Sequence, residues 1–320
     1  MTNLRCMQDS DLSKVNLILS KAFTHAFIQE GFTSNRVPLC RLEYLRMYLT
    51  ANPEGCFVIE KNGKLIAYCF SHLWGLLGWI GPLSVIPAEE GKGYGKRIVA
   101  AGMDYLEQRG AKTIGLETSS RSNRNLAFYT RIGFLPGPLT VDMFKPISAV
   151  GPEGYWQEYE ALYYSRLDSN QRQSFKARLQ EMADKLQPGL DYSTEIEQTC
   201  QYGFGDACLL LRKQETVAFV LAHTEPYSTE EARKFLKVIA LQVAPNRALE
   251  KLGVTLNWLE VWARNQSLSN LYVRVPTHYL AVFDYLLAHD FKIFNIDLRM
   301  TLRGFPQDDD PNQVNLSKWQ

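Results

Sequence analysis

Three glycines at alternate positions, Gly91, Gly93 and Gly95, stand between an apolar run, Pro82-Leu83-Ser84-Val85-Ile86-Pro87, and a segment whose apolar residues recur at helical spacing. Lacking Cβ atoms, such residues permit positive φ and let successive backbone N–H groups approach an anion. A helix N-terminus adds partial positive charge there, and Lys92, Lys96 and Arg97 add whole charges. That chemistry suits a pyrophosphate. The spacing is neither the Rossmann fingerprint nor a P-loop, since the strand does not run directly into Gly-x-Gly-x-x-Gly and no Gly-Lys-Ser/Thr follows.

A second group comes after a strand-like run, Lys112 to Thr118: Asn123, Asn125, Tyr129 and then Gly133-Phe134. Together the two segments resemble the GNAT superfamily of N-acetyltransferases, whose cofactor segment is written Arg/Gln-x-x-Gly-x-Gly/Ala. Here it reads Glu90-Gly91-Lys92-Gly93-Tyr94-Gly95, with Glu90 in place of Arg or Gln. The resemblance implies acetyl-CoA as co-substrate, no metal, and a cradle made of Gly91, Lys92, Gly93, Tyr94, Gly95 and Lys96. It also implies that backbone N–H groups of Leu83, Ser84 and Val85 steady the oxyanion, that Asn123 or Asn125 lies beside the pantetheine arm, and that Tyr129 gives its proton to the departing thiolate.

An amine acceptor must also lose a proton, because a lysine-like ammonium has a pKa near 10.4. Some relatives place a glutamate on the strand before the glycines, where this chain carries Trp79. Glu117, His72 or a water chain is left for the task. His72 recurs as His223 in a repeat described below, which favours a packing role for it. The implied function is an acetyl-CoA-dependent N-acetyltransferase that moves an acetyl group to a small-molecule or peptide amine through a ternary complex. A non-catalytic acyl-CoA-binding or interaction protein is the alternative.

The rest of the chain bounds that reading. Its 320 residues suit two domains, and 46% hydrophobic and 22% charged residues describe an ordinary globular protein. A formal net charge of +1 gives no reason to expect nucleic acid as a partner. Six cysteines without Cys-x-x-Cys pairs or nearby histidines read as reduced thiols. Met1 to Arg5 lacks the layout of a signal peptide, and no uninterrupted apolar run reaches the ~18 residues of a membrane span. A cytoplasmic monomer or loose homodimer, with no membrane partner, is expected.

The expected fold is α/β (α+β, mixed central sheet), as two tandem GNAT-like domains. Leu4 to Met7 opens it as a strand, followed by helical patterns from Leu12 and over Cys40 to Leu49. Phe23, His25, Phe27 and Phe32 lie between them, where the resembling family covers its acceptor site. Asn62-Gly63 predicts a type I′ hairpin, and helices are expected from Lys96 to Arg109 and up to Ile132. Residues 1–147 form the catalytic domain, Ser148 to Gly154 a linker, and Tyr155 to Leu186 helical segments.

Residues 155–305 read as a degenerate second copy. Ala67 to His72 has a counterpart in Ala218 to His223, Val85-Ile86-Pro87 in Val243-Ala244-Pro245, and Gly133-Phe134 in Asp290-Phe291. Aligned this way, Gly91 and Gly93 correspond to Leu249 and Lys251, and Tyr129 to Leu286, so the repeat has lost its cradle. Residues 306–320, with Asp308-Asp309-Asp310, are expected to be a mobile tail.

Overall fold

Period-two and helical patterns in the first half become β1 (Thr2–Cys6), α1 (Leu12–Gln29), α2 (Leu42–Ala51), β2 (Phe57–Lys61), β3 (Lys64–Trp74) and β4 (Leu77–Val85). After the glycine turn come α3 (Tyr94–Gln108), β5 (Thr113–Ser119), α4 (Asn123–Arg131) and β6 (Phe134–Pro146). Asn62 and Gly63 take φ values of 50° and 76°, which a type I′ hairpin requires. The computed structural model describes residues 2–31, 36–148 and 158–317, so Phe32 and most of the expected linker lie outside the described residues.

The second half contains β7 (Tyr159–Tyr163), α5 (Ser169–Leu186), α6 (Ser193–Gln201), β8 (Gly205–Arg212), β9 (Glu215–His223) and β10 (Phe235–Val243). It continues with α7 (Ala248–Asn265), β11 (Asn270–Pro276), α8 (Leu280–Ala288), β12 (Lys292–Leu302) and β13 (Val314–Ser317). One expectation fails early: Tyr159–Tyr163 is a strand paired with β8, not the start of a helix. The helix starts only at Ser169, where Asp168 and Gln171 form a capping box, a signal present in the sequence.

The duplication is visible in the ladders. Ala67 pairs with Val85 on β3 and β4, and their counterparts Ala218 and Val243 pair on β9 and β10. The halves then trade their closing strands. The sheet order is β1-β2-β3-β4-β5-β12-β6-β11-β10-β9-β8-β7, with β13 on β10, so β12 inserts beside β5 and β6 lies beside β11. Met300 and Leu302 of β12 therefore complete the apolar core around Ile98, Leu106 and Phe134, while Val141 and Met143 of β6 complete the core around Leu256 and Val273.

At the exchange, charged side chains meet in the sheet interior. Glu117 pairs with Arg299 across β5 and β12, and at the equivalent place with reversed signs Arg274 pairs with Asp142 across β11 and β6. Arg274 also bonds Glu117, linking the two pairs. Fixed partners of opposite sign are what make burial of such groups tolerable.

In each half the fourth and fifth strands part. β4 runs parallel to β5 only over Leu77–Trp79, and the β3–β4 ladder shifts where Gly81 and Pro82 add a residue. Beyond that point the outer edge of β4 faces a cleft. The matching edge of β10 is different: Ala240–Val243 pairs with Val314–Ser317 of β13. The segment expected to be a mobile tail thus contains a buried strand, because Val314 and Leu316 find apolar contacts and the open β10 edge supplies the ladder. No helix among the described residues is long and apolar enough to cross a membrane.

Candidate active site

The cleft beside β4 is a cavity of about 490 Å³ whose walls include Ser84, Gly91, Gly93, Lys96, Asn125 and Tyr129. Its floor is the strand edge, its roof α1 and α4, and its end the glycine turn. Gly91 and Gly93 take φ values of +73° and +86°, and a Cβ built on either would meet nothing within 4 Å. Open space over positive-φ backbone is what an anion cradle needs. Gly93 caps α3 without any side-chain bond, and the described hydrogen bonds include none donated by the backbone N–H groups of residues 91–96. These donors, the cap and Lys96 fit a pyrophosphate.

The residues of the motif are placed differently. Gly95 lines the cavity from the first turn of α3, where a Cβ would lie 3.3 Å from the Phe128 ring, so it also serves close packing. Lys92 turns away, its Nζ donating to Ala88 O at 2.8 Å and to Glu89 at 3.1 Å. Tyr94 packs beneath the Lys61 ammonium, outside this cavity wall. Arg124, absent from the sequence reading, pairs with Glu90 at 2.6 Å and lines the cavity. It neutralises the Glu90 carboxylate beside the cradle.

Of the two asparagines, Asn125 lines the cleft and donates to Thr118 Oγ1 at 3.1 Å, whereas Asn123 faces a smaller neighbouring hollow. Tyr129 lies on the inner face of α4 with 8% of its surface exposed. Burial first, and then the nearby Cys69 thiol, push its phenol well above the usual range, so it holds its proton at neutral pH.

A second cavity of about 560 Å³ continues from the first, with Phe23, Ala26, Leu83, Asn125 and Tyr129 lining both. Its far wall is β12 from the second half, through Phe294, Asn295 and Asp297. Phe23 and Phe27 of α1 line it as well, the region where an acceptor pocket is expected.

Neither side chain named for the base is placed to act as one. Glu117 borders the second cavity, but Oε1 accepts from Arg299 at 2.8 and 3.0 Å, and Oε2 accepts from Arg274. Burial alone would raise its pKa, yet the two guanidinium groups outweigh burial and lower it, so it is a weak base. His72 lines neither cavity. Its Nε2–H donates to Gly81 O at 2.8 Å, its ring stacks on Trp74, and burial pushes its pKa down to about 4.

In the second copy the turn is shortened rather than merely substituted. α7 begins directly after Arg247, so Leu249 and Lys251 lie inside a helix, and Lys251 Nζ donates to Pro245 O at 2.9 Å. The equivalent of the cofactor edge, Leu241-Gln242-Val243, is occupied by Leu316, Asn315 and Val314.

This geometry coincides with similarity to known proteins. Residues 19–134 match the family model described as Acetyltransferase (GNAT) family. The chain is 31% identical over 86 residues to mycothiol acetyltransferase of Streptomyces coelicolor and 34% identical over 94 residues to N-alpha-acetyltransferase 30 of Schizosaccharomyces pombe. Those stretches are 26% and 28% of this chain, and they span 28% and 63% of the two relatives' lengths. Over the full fold, a putative acetyltransferase from Pyrococcus horikoshii aligns with TM-score 0.64 at 16% identity, covering 98% of this chain and 91% of that one. A tandem GNAT protein from the clavulanic acid biosynthesis pathway aligns with TM-score 0.59 at 13% identity, covering 96% and 100%. Residues 19–134 therefore match the GNAT family model, and the whole chain has the fold of a tandem GNAT protein.

Proposed function

We propose that the chain is an acetyl-CoA-dependent N-acetyltransferase acting on an amine through a ternary complex, with residues 1–147 providing the cofactor site and one CoA bound per chain. The observation that carries this reading is the meeting of an anion cradle and a protonated tyrosine at the junction of two continuous cavities. Acetyl-CoA would supply an activated thioester carbonyl. Gly91 and Gly93 hold the pyrophosphate by backbone N–H groups, while Lys96 balances its charge and Arg124 cancels that of Glu90 beside it. The outer edge of β4 from Leu83 to Val85 offers backbone donors to the oxygen that becomes negative, and Tyr129 holds a proton for the leaving sulfur. Asn125 orients the arm between them.

Binding without turnover is the weaker reading, because it leaves the second cavity and the buried phenol without a task. Thiol release with a panel of small amines, amino acids, aminoglycosides and peptides tests the proposal. At least one acceptor should consume thioester, and Tyr129→Phe should lower kcat by about 10²-fold or more with little change in CoA affinity. A panel without any turnover, or an unaffected Tyr129→Phe, would count against it. The same reading keeps the protein a cytoplasmic monomer or loose dimer, with its six cysteines as free thiols.

A further inference from the structure

Five charged side chains meet where the halves exchange strands, and their charges do not cancel. Glu117 on β5, Asp142 on β6 and Asp297 on β12 face Arg274 on β11 and Arg299 on β12. Three carboxylates against two guanidinium groups leave one negative charge over. Arg274 is fully engaged, through Nε and Nη2 to Asp142, Nη1 to Glu117 and Nη2 to Asp297 at 2.8 Å. Arg299 is committed to Glu117, Gln307 and the Ser317 carbonyl.

The surplus falls on Asp297. Its side chain is 20% exposed, against 3% for Glu117 and 6% for Asp142, and it lines the second cavity. Its Oδ2 accepts from Arg274 and from Asn295 at 3.3 Å, while no described bond engages Oδ1. A partly buried carboxylate that lines a cavity and shares its one guanidinium with two other carboxylates gains from a proton or a further cation. Resting on the N-acetyltransferase reading, we infer that Asp297, supplied by the second half, receives the acceptor's ammonium group in the second cavity and takes its proton. In that step an N–H bond of R–NH₃⁺ breaks and an O–H bond forms on the carboxylate, leaving neutral R–NH₂ and a neutral carboxyl. The proton passes to water when product leaves.

The surroundings suit such an exchange. Burial first, then the Glu117 and Asp142 charges, raise the Asp297 pKa against the opposing pull of Arg274, which strengthens it as a base. Glu30 on the opposite wall, bonded to Ser119 at 2.8 Å, adds negative charge, and Arg121 is the cation of that wall. Phe27 and Phe294 are 40% and 69% exposed at this cavity. They point to an acceptor that carries its primary amine on an apolar body.

The test titrates 2-phenylethylamine and uncharged 2-phenylethanol into the CoA-saturated full-length protein by calorimetry. The amine should bind about tenfold tighter or better, a preference that Asp297→Asn abolishes and Asp297→Glu keeps, with CoA affinity unchanged as evidence of folding. The wild-type protein supplies a second test that needs no variant. Amine affinity should fall as pH is lowered through a range above that of an ordinary aspartate, because the protonated carboxyl no longer attracts the ammonium, while alcohol affinity stays flat. No preference in the wild type, a preference that survives Asp297→Asn, or a flat amine profile overturns the assignment. Failure of the enzymatic reading looks different: the amine preference would depend on Asp297 while no amine of the panel consumed thioester.

Discussion

At the scale of single residues, the site divides into groups that local spacing reveals and groups it does not. The placing of Gly91, Gly93 and Tyr129 on a turn and an inward helix face was legible because both are set by neighbours in the chain, and all three line one cleft. Replacing Gly93 by Val puts a β-branched side chain at φ +86°, into the open space over the cradle. Gly93→Val should cost about 1–2 kcal/mol of stability and weaken CoA binding by tenfold or more, read by calorimetry; unchanged affinity in a folded variant would remove the cradle. Arg124 was missed although it stands between Asn123 and Asn125, because nothing local says that it reaches Glu90. His72 was rightly favoured for packing, and its burial gives a pH signature. With a folded pKa of about 4 against 6.5 unfolded, the stability it contributes is complete above pH 6.5 and is lost as pH falls toward 4. Between pH 7.5 and 5.5, wild-type unfolding free energy should drop by on the order of 1 kcal/mol more than that of His72→Gln, measured in urea; equal losses would show that the ring titrates normally.

At the scale of elements, strands were legible but their partners were not. β6 and β12 carry the same alternation whether each closes its own half or the other, so pattern alone cannot reveal the exchange. The residue that local reading offered as a base, Glu117, is instead the hinge of that exchange, held by arginines from β11 and β12. No sequence neighbour announces either one. Glu117→Gln leaves the buried Arg299 guanidinium without its carboxylate partner, while Arg274 keeps Asp142 and Asp297, and should cost on the order of 3–5 kcal/mol, visible as a lower urea midpoint at constant m. If any activity survives, its acid limb should move to lower pH, because the Glu117 charge no longer raises the Asp297 pKa. A stable Glu117→Gln enzyme that lost its acid limb altogether would return Glu117 to the chemistry. β13 taught a related lesson. Three successive aspartates suggest a solvated tail, yet Val314 to Ser317 lies beyond them and meets an edge that only the folded second half creates.

At the scale of the whole molecule, the exchange makes one folding unit of two copies. Each core contains apolar residues from the other copy's closing strand, so neither can lose its packing without exposing Met300 and Leu302 or Val141 and Met143. Burying such side chains is worth about 1.5–3 kcal/mol apiece, and the charge network adds a further penalty for separation. Unfolding should therefore be a single transition, with fluorescence and far-UV dichroism giving the same midpoint. The cofactor sharpens the test. On the proposed function CoA meets only the first copy, because β13 fills the matching edge of the second, yet at a hundredfold excess over its Kd it should stabilise the whole chain by about 2.7 kcal/mol. Hydrogen exchange can follow amides of β8 and β9, which lie far from the cradle in the sheet order. Their slowest exchange should be protected by CoA to the same extent as that of β3. Protection confined to the first copy, or a second transition indifferent to CoA, would mean that the traded strands join the halves without coupling them.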